Sequence, residues 1–300
     1  MTHKIQKTIF SWLCTFPALL LIGLIIVFPI LYTAYISFTN MNVFNWFDFQ
    51  IIGFRNYINA LFVFDTGFLR ALWITIFWTA LNMAFQLSIA FIMASLLNYK
   101  KLTLRKVYKT LLMFPWAMPG YVSILIWRNG MFNSQFGLLN QWMERLGFEP
   151  VRWLAGDVTA FLSSMVVNLW LALPFMIMIM DGALQSVDRT YYESAILEGA
   201  SWYTRSVRLT VPAISPIIGP AVIITLFTTF KQFDVIYLLI QQVGNKSGAN
   251  IHTVLTYAYE NAFVTNNFGF SSAISMIIFL LLIGMAMMTI FRPKRRELSG

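Results

Sequence analysis

Cysteine and histidine are nearly missing from this chain, whose 300 residues hold one cysteine, Cys14, and two histidines, His3 and His252. A single thiol excludes an internal disulfide, and two distant imidazoles lack the spacing of a metal site. No metal or redox chemistry is expected. The phosphate-cradling pattern GxxxxGK[ST] occurs nowhere in the sequence, so this chain is not expected to hold nucleotide phosphates itself. There is no HExxH, no paired carboxylates inside the apolar runs, and no Ser–His or Cys–His pair at one depth. A membrane protease or glycosyl-transfer enzyme is therefore the weakest functional class. Long linkers, low-complexity tracts and a second polar domain are also missing, which leaves one membrane domain over residues 1–300.

What is present is apolar. Hydrophobic residues make up 58% of the chain and charged residues only 11%, a composition outside the range of soluble domains. Six runs are long enough to cross about 30 Å of hydrocarbon, at about residues 12–38, 71–97, 111–127, 160–180, 214–240 and 268–291. Strict alternation of apolar and polar residues is missing, so the expected fold is an all-α membrane protein with six transmembrane helices. The first run follows basic residues, as a signal peptide does. It is longer than a signal's apolar core and precedes no small-residue cleavage site, so a retained helix is expected.

Orientation follows from the basic residues, because short translocated loops disfavour Lys and Arg. An even number of spans puts both termini on one side. If that side is the cytoplasm, its segments carry Lys4, Lys7, Lys100 to Lys109, Arg189, Arg205, Arg208 and the Arg292 to Arg296 cluster, and their balance equals the whole formal charge of +9. A pI near 9.7 is thus the mark of a positive-inside membrane protein rather than of nucleic-acid binding. The outer loop from Thr39 to Arg70 is rich in aromatics, as an interfacial belt is, and LLNQWMERLGF has the pattern of a helix lying on the outer surface. Pro115, Pro119 and Pro174 are expected to interrupt the third and fourth spans.

One polar, charged segment lies between the fourth and fifth spans, at residues 182–213, and contains YYESAILEGASWYTRSVRLTVP. Ser194, Ala195, Gly199 and Ala200 fall on roughly one helical face, where small side chains let another backbone approach, and Glu193 precedes Arg205 and Arg208 in a charge-paired order. An ordinary amphipathic helix on the inner leaflet explains the same periodicity. The spacing Glu193-Ser194-Ala195, then Gly199 with Glu198 before it, then Leu209-Thr210-Val211-Pro212 resembles the EAA loop of ABC-importer permeases. Ser194 replaces an alanine of the usual triplet, and Glu198 stands where Asp is common. FRNYINALF, KTLLMFPWAMPGYVSILIW, GMFNSQFGLLN, VVNLWLALPFMIMIMDGALQSV and FKQFDVIYLL extend the resemblance, in order, to the maltose-type (MalF-type) sugar permease subunits.

That resemblance implies a cytoplasmic coupling helix in which Glu193, Ser194, Ala195, Glu198, Gly199, Ala200 and Pro212 serve a partner ATPase. ATP and Mg would be bound by that dimeric ATPase and not by this chain, which is not itself an enzyme. It implies a second homologous permease subunit, an extracytoplasmic solute-binding protein and residence in the bacterial cell (inner) membrane with both termini cytoplasmic. It also implies a sugar pocket lined by Trp116 and Gly120, by Asn168, Leu171, Ala172 and Phe175, and by Thr228, Thr229 and Gln232. The chemistry agrees: Trp116, Tyr121 and Phe175 offer faces for sugar C–H groups, while Asn168, Thr229 and Gln232 offer hydrogen bonds. Lipid-facing aromatics and helix-bridging amides are the structural alternative. Lys231 and Asp234 lie within an apolar run, where charges are paired or functional. At i, i+3 they are expected to pair, the alternative being Lys231 facing an anionic sugar. The expected function is import of a maltose- or maltodextrin-like oligosaccharide by alternating access. Acidic oligosaccharides, galactosides and glycerol phosphate are the alternatives within this class. An ion-coupled secondary transporter is the rival outside it, disfavoured because only Asp234 lies well inside a span.

Overall fold

A backbone in hydrocarbon has no water to bond, so each N–H and C=O must be met within the protein. The chain answers with helices almost throughout. The computed structural model describes residues 2–63, 67–99, 101–241 and 249–290. In order they form α1 (Thr2–Ile22), a π-helical turn, α2 (Phe28–Ser37), α3 (Arg55–Phe62), α4 (Phe68–Leu97), α5 (Arg105–Ala117), α6 (Gly120–Ile126), α7 (Leu138–Arg145), α8 (Asp157–Gln185), α9 (Arg189–Leu197), α10 (Trp202–Thr204), α11 (Val211–Phe230), α12 (Asp234–Ile236), α13 (Val254–Phe263) and α14 (Phe268–Ile290). Among the described residues the sole β pairing is an isolated bridge between Thr39 and Ile51. Five helical stretches are long and apolar enough to span a membrane, and the bent pair of α5 and α6 makes a sixth. The Arg292 to Arg296 cluster, Lys100 and the turn at 242–248 lie outside the described residues.

The chain divides into two compact units, residues 1–70 with 257–300, and residues 71–256. In the first, α2 lies against α14, and the first span turns Phe16, Leu24, Ile25, Phe28 and Leu31 outward, as a lipid-facing helix does. Gly269 opens α14 against the Thr39 carbonyl, which a Cβ there would strike. Its N–H donates to Met41 O at 2.8 Å. Asn56 Nδ2 donates to Ser37 O at 2.9 Å and Thr39 O at 2.8 Å, so the end of α2 keeps no orphaned carbonyls there. Phe44 and Phe47 of the aromatic loop are fully exposed.

In the second unit α8 packs against α5 and α11. Trp78, Ile124, Val167, Leu169, Ile236 and Leu239 belong to one apolar cluster. Ala90, Ala94 and Leu97 of α4 meet Met176, Ile177 and Met180 of α8 in another. Proline acts differently at each position. Pro115 sits within α5 and Pro174 within an unbroken α8, contrary to the expectation that both interrupt their spans. Each removes one N–H, a loss that neighbouring groups in a packed span offset. The break falls at Pro119, whose ring pushes Met118 out of the helical region to φ −101°, ψ 141°. There α5 and α6 bend by 91°.

The fifth span also differs from expectation. Helix begins at Trp202, passes through a π-helical stretch at Arg205–Thr210 and continues across Pro212, which stands in the first turn of α11. Pro212 does not end the helix: its missing N–H falls where the ladder passes from π to α, at the start of α11. The helix instead ends at Phe230 and resumes at Asp234. Lys231 and Asp234 flank this unwound piece, both are exposed, and no ion pair joins them among the described residues. They are charges at a helix break, with Asp234 favourably in a first turn, rather than a pair within a continuous span.

The C-terminal end of α8 is held by ions. Asp181 is 1% exposed and pairs with Arg105 at 2.9 Å and with Lys109. Asn98 Nδ2 and Gln185 Nε2 also donate to its carboxylate, at 2.8 and 2.9 Å. Two cations and two amides thereby saturate one buried carboxylate and tie the α4–α5 loop to the base of α8. Removing it leaves both cations stranded. Asp181→Ala is expected to lower stability by about 2–3 kcal/mol, less than for a fully buried pair because Arg105 and Lys109 keep solvent contact. Thermal unfolding of the purified chain in detergent measures this, and an unchanged midpoint refutes the assignment.

Candidate functional site

Two places carry the polar groups that a membrane helix bundle has to justify. The first is α9. Asp188 caps it, its carboxylate accepting from Thr190 N–H at 3.0 Å. That backbone hydrogen bond holds the Asp188 carboxyl below the usual carboxylate range. At the other end Gly199 adopts φ +76°. Its N–H donates to Ile196 O at 3.0 Å, and Ala200 N–H reaches Ala195 O at 2.9 Å. These are the two bonds of a left-handed glycine cap. Gly199 is thus a helix terminator, not part of a close-packing face, and a Cβ there would meet nothing within 4 Å.

Glu193, Ser194 and Glu198 are exposed and Ala195 and Ala200 half-buried. Leu197 is 90% exposed and Ile196 54%, so α9 offers an apolar tip to solvent. Glu193 makes no ion pair with Arg205 or Arg208 among the described residues. The segment is held instead by hydroxyls. Tyr192 Oη donates to Thr210 Oγ1 at 3.1 Å, and Thr210 Oγ1 donates to Arg205 O at 3.1 Å, where the π-helical stretch opens the ladder. Ser201 Oγ accepts from Thr204 N–H at 3.2 Å and starts the next helix.

The second place is a cavity of about 350 Å³ in the second unit, within the size range of small-molecule sites. It is lined by Trp116 of α5, by Asn168, Leu171, Ala172 and Phe175 of α8, and by Thr228, Thr229 and Gln232 at the end of α11. The Trp116 and Phe175 rings lie 5.7 Å apart at 32° and give it an aromatic face. Three positions carried by the resemblance or chemistry are not on its wall. Gly120 and Tyr121 follow the 91° bend into α6, and Tyr121 is 61% exposed. Lys231 is exposed at the helix break. Among the described residues no Lys, Arg, Asp or Glu borders the cavity.

Two polar residues escaped the sequence reading. Gln86 lines the cavity and is 1% exposed, with Nε2 donating to Ala172 O at 3.0 Å. Asn82 is fully buried one turn earlier and accepts from Asn168 Nδ2 at 2.8 Å. Their spacing of four inside an otherwise apolar span was the available signal, since polar groups there face the bundle interior.

The chain is similar to several known transport proteins. The Thermococcus litoralis trehalose/maltose transport system permease protein MalF is 28% identical, over 93% of this chain and 92% of its own. The Bacillus subtilis galactooligosaccharides transport system permease protein GanP is 27% identical, over 90% of this chain and 67% of its own. A chain of a bacterial alginate ABC transporter, solved in complex with an alginate pentasaccharide-bound periplasmic protein, superposes with a TM-score of 0.77 at 17% identity. The match covers 96% of this chain and 95% of that one, a likeness of fold. The model of the family described as "Binding-protein-dependent transport system inner membrane component" matches residues 86–297. That is well over half of the sequence, and the chain belongs to this family.

Proposed function

We propose that the chain is one of two permease subunits of an ATP-driven importer that carries an oligosaccharide of the maltose or maltodextrin kind. The observation that carries this reading is the continuity of the two polar places. The coupling helix α9 is joined to α8 through three residues and to α11 through the Tyr192–Thr210 contact. Those same two helices supply most of the cavity wall. A push on the exposed tip at Ile196 and Leu197 therefore moves both walls of the solute site. Alternating access follows if a cytoplasmic ATPase dimer, with ATP and Mg bound on that partner, closes against α9 and drives the cavity outward. A second permease subunit and an extracytoplasmic solute-binding protein complete the assembly, with both termini of this chain cytoplasmic. The aromatic pair and the convergent amides and hydroxyls of the cavity suit a sugar, and the trehalose/maltose and galactooligosaccharide permeases among the relatives support a sugar cargo.

The class is tested by reconstituting this chain in lipid with its partner permease and ATPase, and measuring ATP hydrolysis with and without a solute-loaded binding protein. Stimulation by the loaded protein is expected; failure to associate with any ATPase overturns the reading. Gly199→Val forces a β-branched residue into the left-handed region and is expected to weaken ATPase association at least about tenfold, or ~1.4 kcal/mol. Gly199→Asn, which tolerates that region, is expected to retain most of it, so equal behaviour of the two variants removes the capping role. Phe175→Ala is expected to raise the KM for transported sugar about tenfold, again ~1.4 kcal/mol, in proteoliposome uptake. An unaltered KM takes Phe175 out of the site.

A further inference from the structure

The wall that α4 and α8 turn toward the cavity carries amides that are partly engaged within the protein. Gln86 spends Nε2 on the Ala172 carbonyl at 3.0 Å, while its buried Oε1 has no partner. Asn168 spends Nδ2 on Asn82 Oδ1 at 2.8 Å, and Asn82 spends its own Nδ2 on the Trp78 carbonyl at 2.9 Å. Across the cavity the Thr228 hydroxyl donates to Thr225 O at 3.0 Å. One amide hydrogen of each of these residues and the Thr228 hydroxyl hydrogen are engaged within the protein, while Gln86 Oε1 keeps its lone pairs unmet. A buried acceptor without a donor costs free energy until one meets it, and the space that Gln86 borders is the cavity.

We propose that Gln86 is a specificity residue of the transport site: its Oε1 accepts a hydroxyl of the solute, and the charge-free wall selects a neutral polyhydroxylated sugar over a carboxylated or phosphorylated one. The proposal rests on the reading of the chain as a sugar permease. A sugar hydroxyl is a donor as well as an acceptor and meets the lone pairs of Gln86 and Asn168. A carboxylate or phosphate oxygen is acceptor only, and would face those lone pairs with no cation on the wall to neutralise it. The bond from Nε2 to Ala172 O fixes the Gln86 amide and so holds its unmet Oε1 in one position. Gln86 sits 86 residues from Ala172 and acts on the solute from a helix outside the three on which the rest of the wall was expected.

The test uses the complete transporter, with its partner permease, ATPase and cognate binding protein, in proteoliposomes. Uptake of maltotriose, galactotriose, trehalose and an alginate trisaccharide is compared for wild type and Gln86→Leu, with Gln86→Met as the closer fit if the leucine variant does not assemble. Wild type is expected to carry at least one neutral sugar and not the alginate. The variant should raise the KM for that sugar about tenfold. A monodeoxy series of the same sugar should contain one hydroxyl whose loss costs wild type about tenfold and costs the variant nothing, a signature that a merely structural role would not produce. A variant with wild-type KM, or one that still distinguishes every deoxy sugar as wild type does, overturns the role of Gln86 and leaves the permease reading intact. Uptake of alginate by wild type overturns the neutral selection alone. Uptake of none of the sugars sinks the sugar reading, and this proposal with it.

Discussion

The need to satisfy every backbone polar group without water governs this molecule. It forces helix nearly everywhere, and it makes each break in a helix costly unless protein or a polar cavity receives the freed groups. The second unit has two such breaks in its spans, at Met118–Pro119 and at Lys231–Phe233. Both adjoin the cavity: Trp116 lies two residues before the first, and Gln232 lies within the second. Thr253 Oγ1 reaches the Gln232 carbonyl at 3.4 Å, so the unwound piece is met from within the fold. The proline-bearing helices that pass unbroken, α8 and α11, are the rigid members that carry the wall.

Rigidity at the C-terminal end of α8 comes from a different source. Asp181 gathers Arg105, Lys109, Asn98 and Gln185 around one carboxylate, and so joins α5 and the end of α4 to the last turn of α8, from which the chain runs on to α9. A buried charge is poor at adding net stability but strict about geometry, since each missing partner is felt. With the Tyr192–Thr210 contact and the glycine cap at Gly199, it gives α9 fixed attachments and an exposed apolar tip. A helix held this way transmits a displacement rather than absorbing it.

Much of this was legible along the chain. Hydropathy marked the long apolar helices, although the fifth begins at Trp202 rather than near Ile214, and the polar interruption at 182–213 marked the short helices between α8 and α11, because both signals are local in sequence. The resemblance carried eight positions that the structure brings to the cavity wall, among them Trp116, Asn168 and Phe175. Where the reading went astray, the cause was that chain-local rules do not see neighbours. Pro174 and Pro212 carry the same breaking propensity as Pro119, yet only Pro119 sits where the preceding residue was free to turn extended. Charge spacing suggested pairs at Lys231–Asp234 and Glu193–Arg205, while the helix break and the hydroxyl contacts leave those groups exposed or bonded otherwise.

The sequence by itself determined that this is a helical membrane protein with several apolar spans. Composition, hydropathy length and motif spacing are properties that need no partner across the fold. Only the tertiary structure decided which polar side chains share a cavity and which of their atoms remain unspent. Gln86 and Ala172 lie 86 residues apart, as do Asn82 and Asn168, and a hydrogen bond between them exists only once α4 and α8 pack. Their packing engages one amide hydrogen of each pair and leaves Gln86 Oε1 unmet, and that balance is set by three-dimensional contact alone.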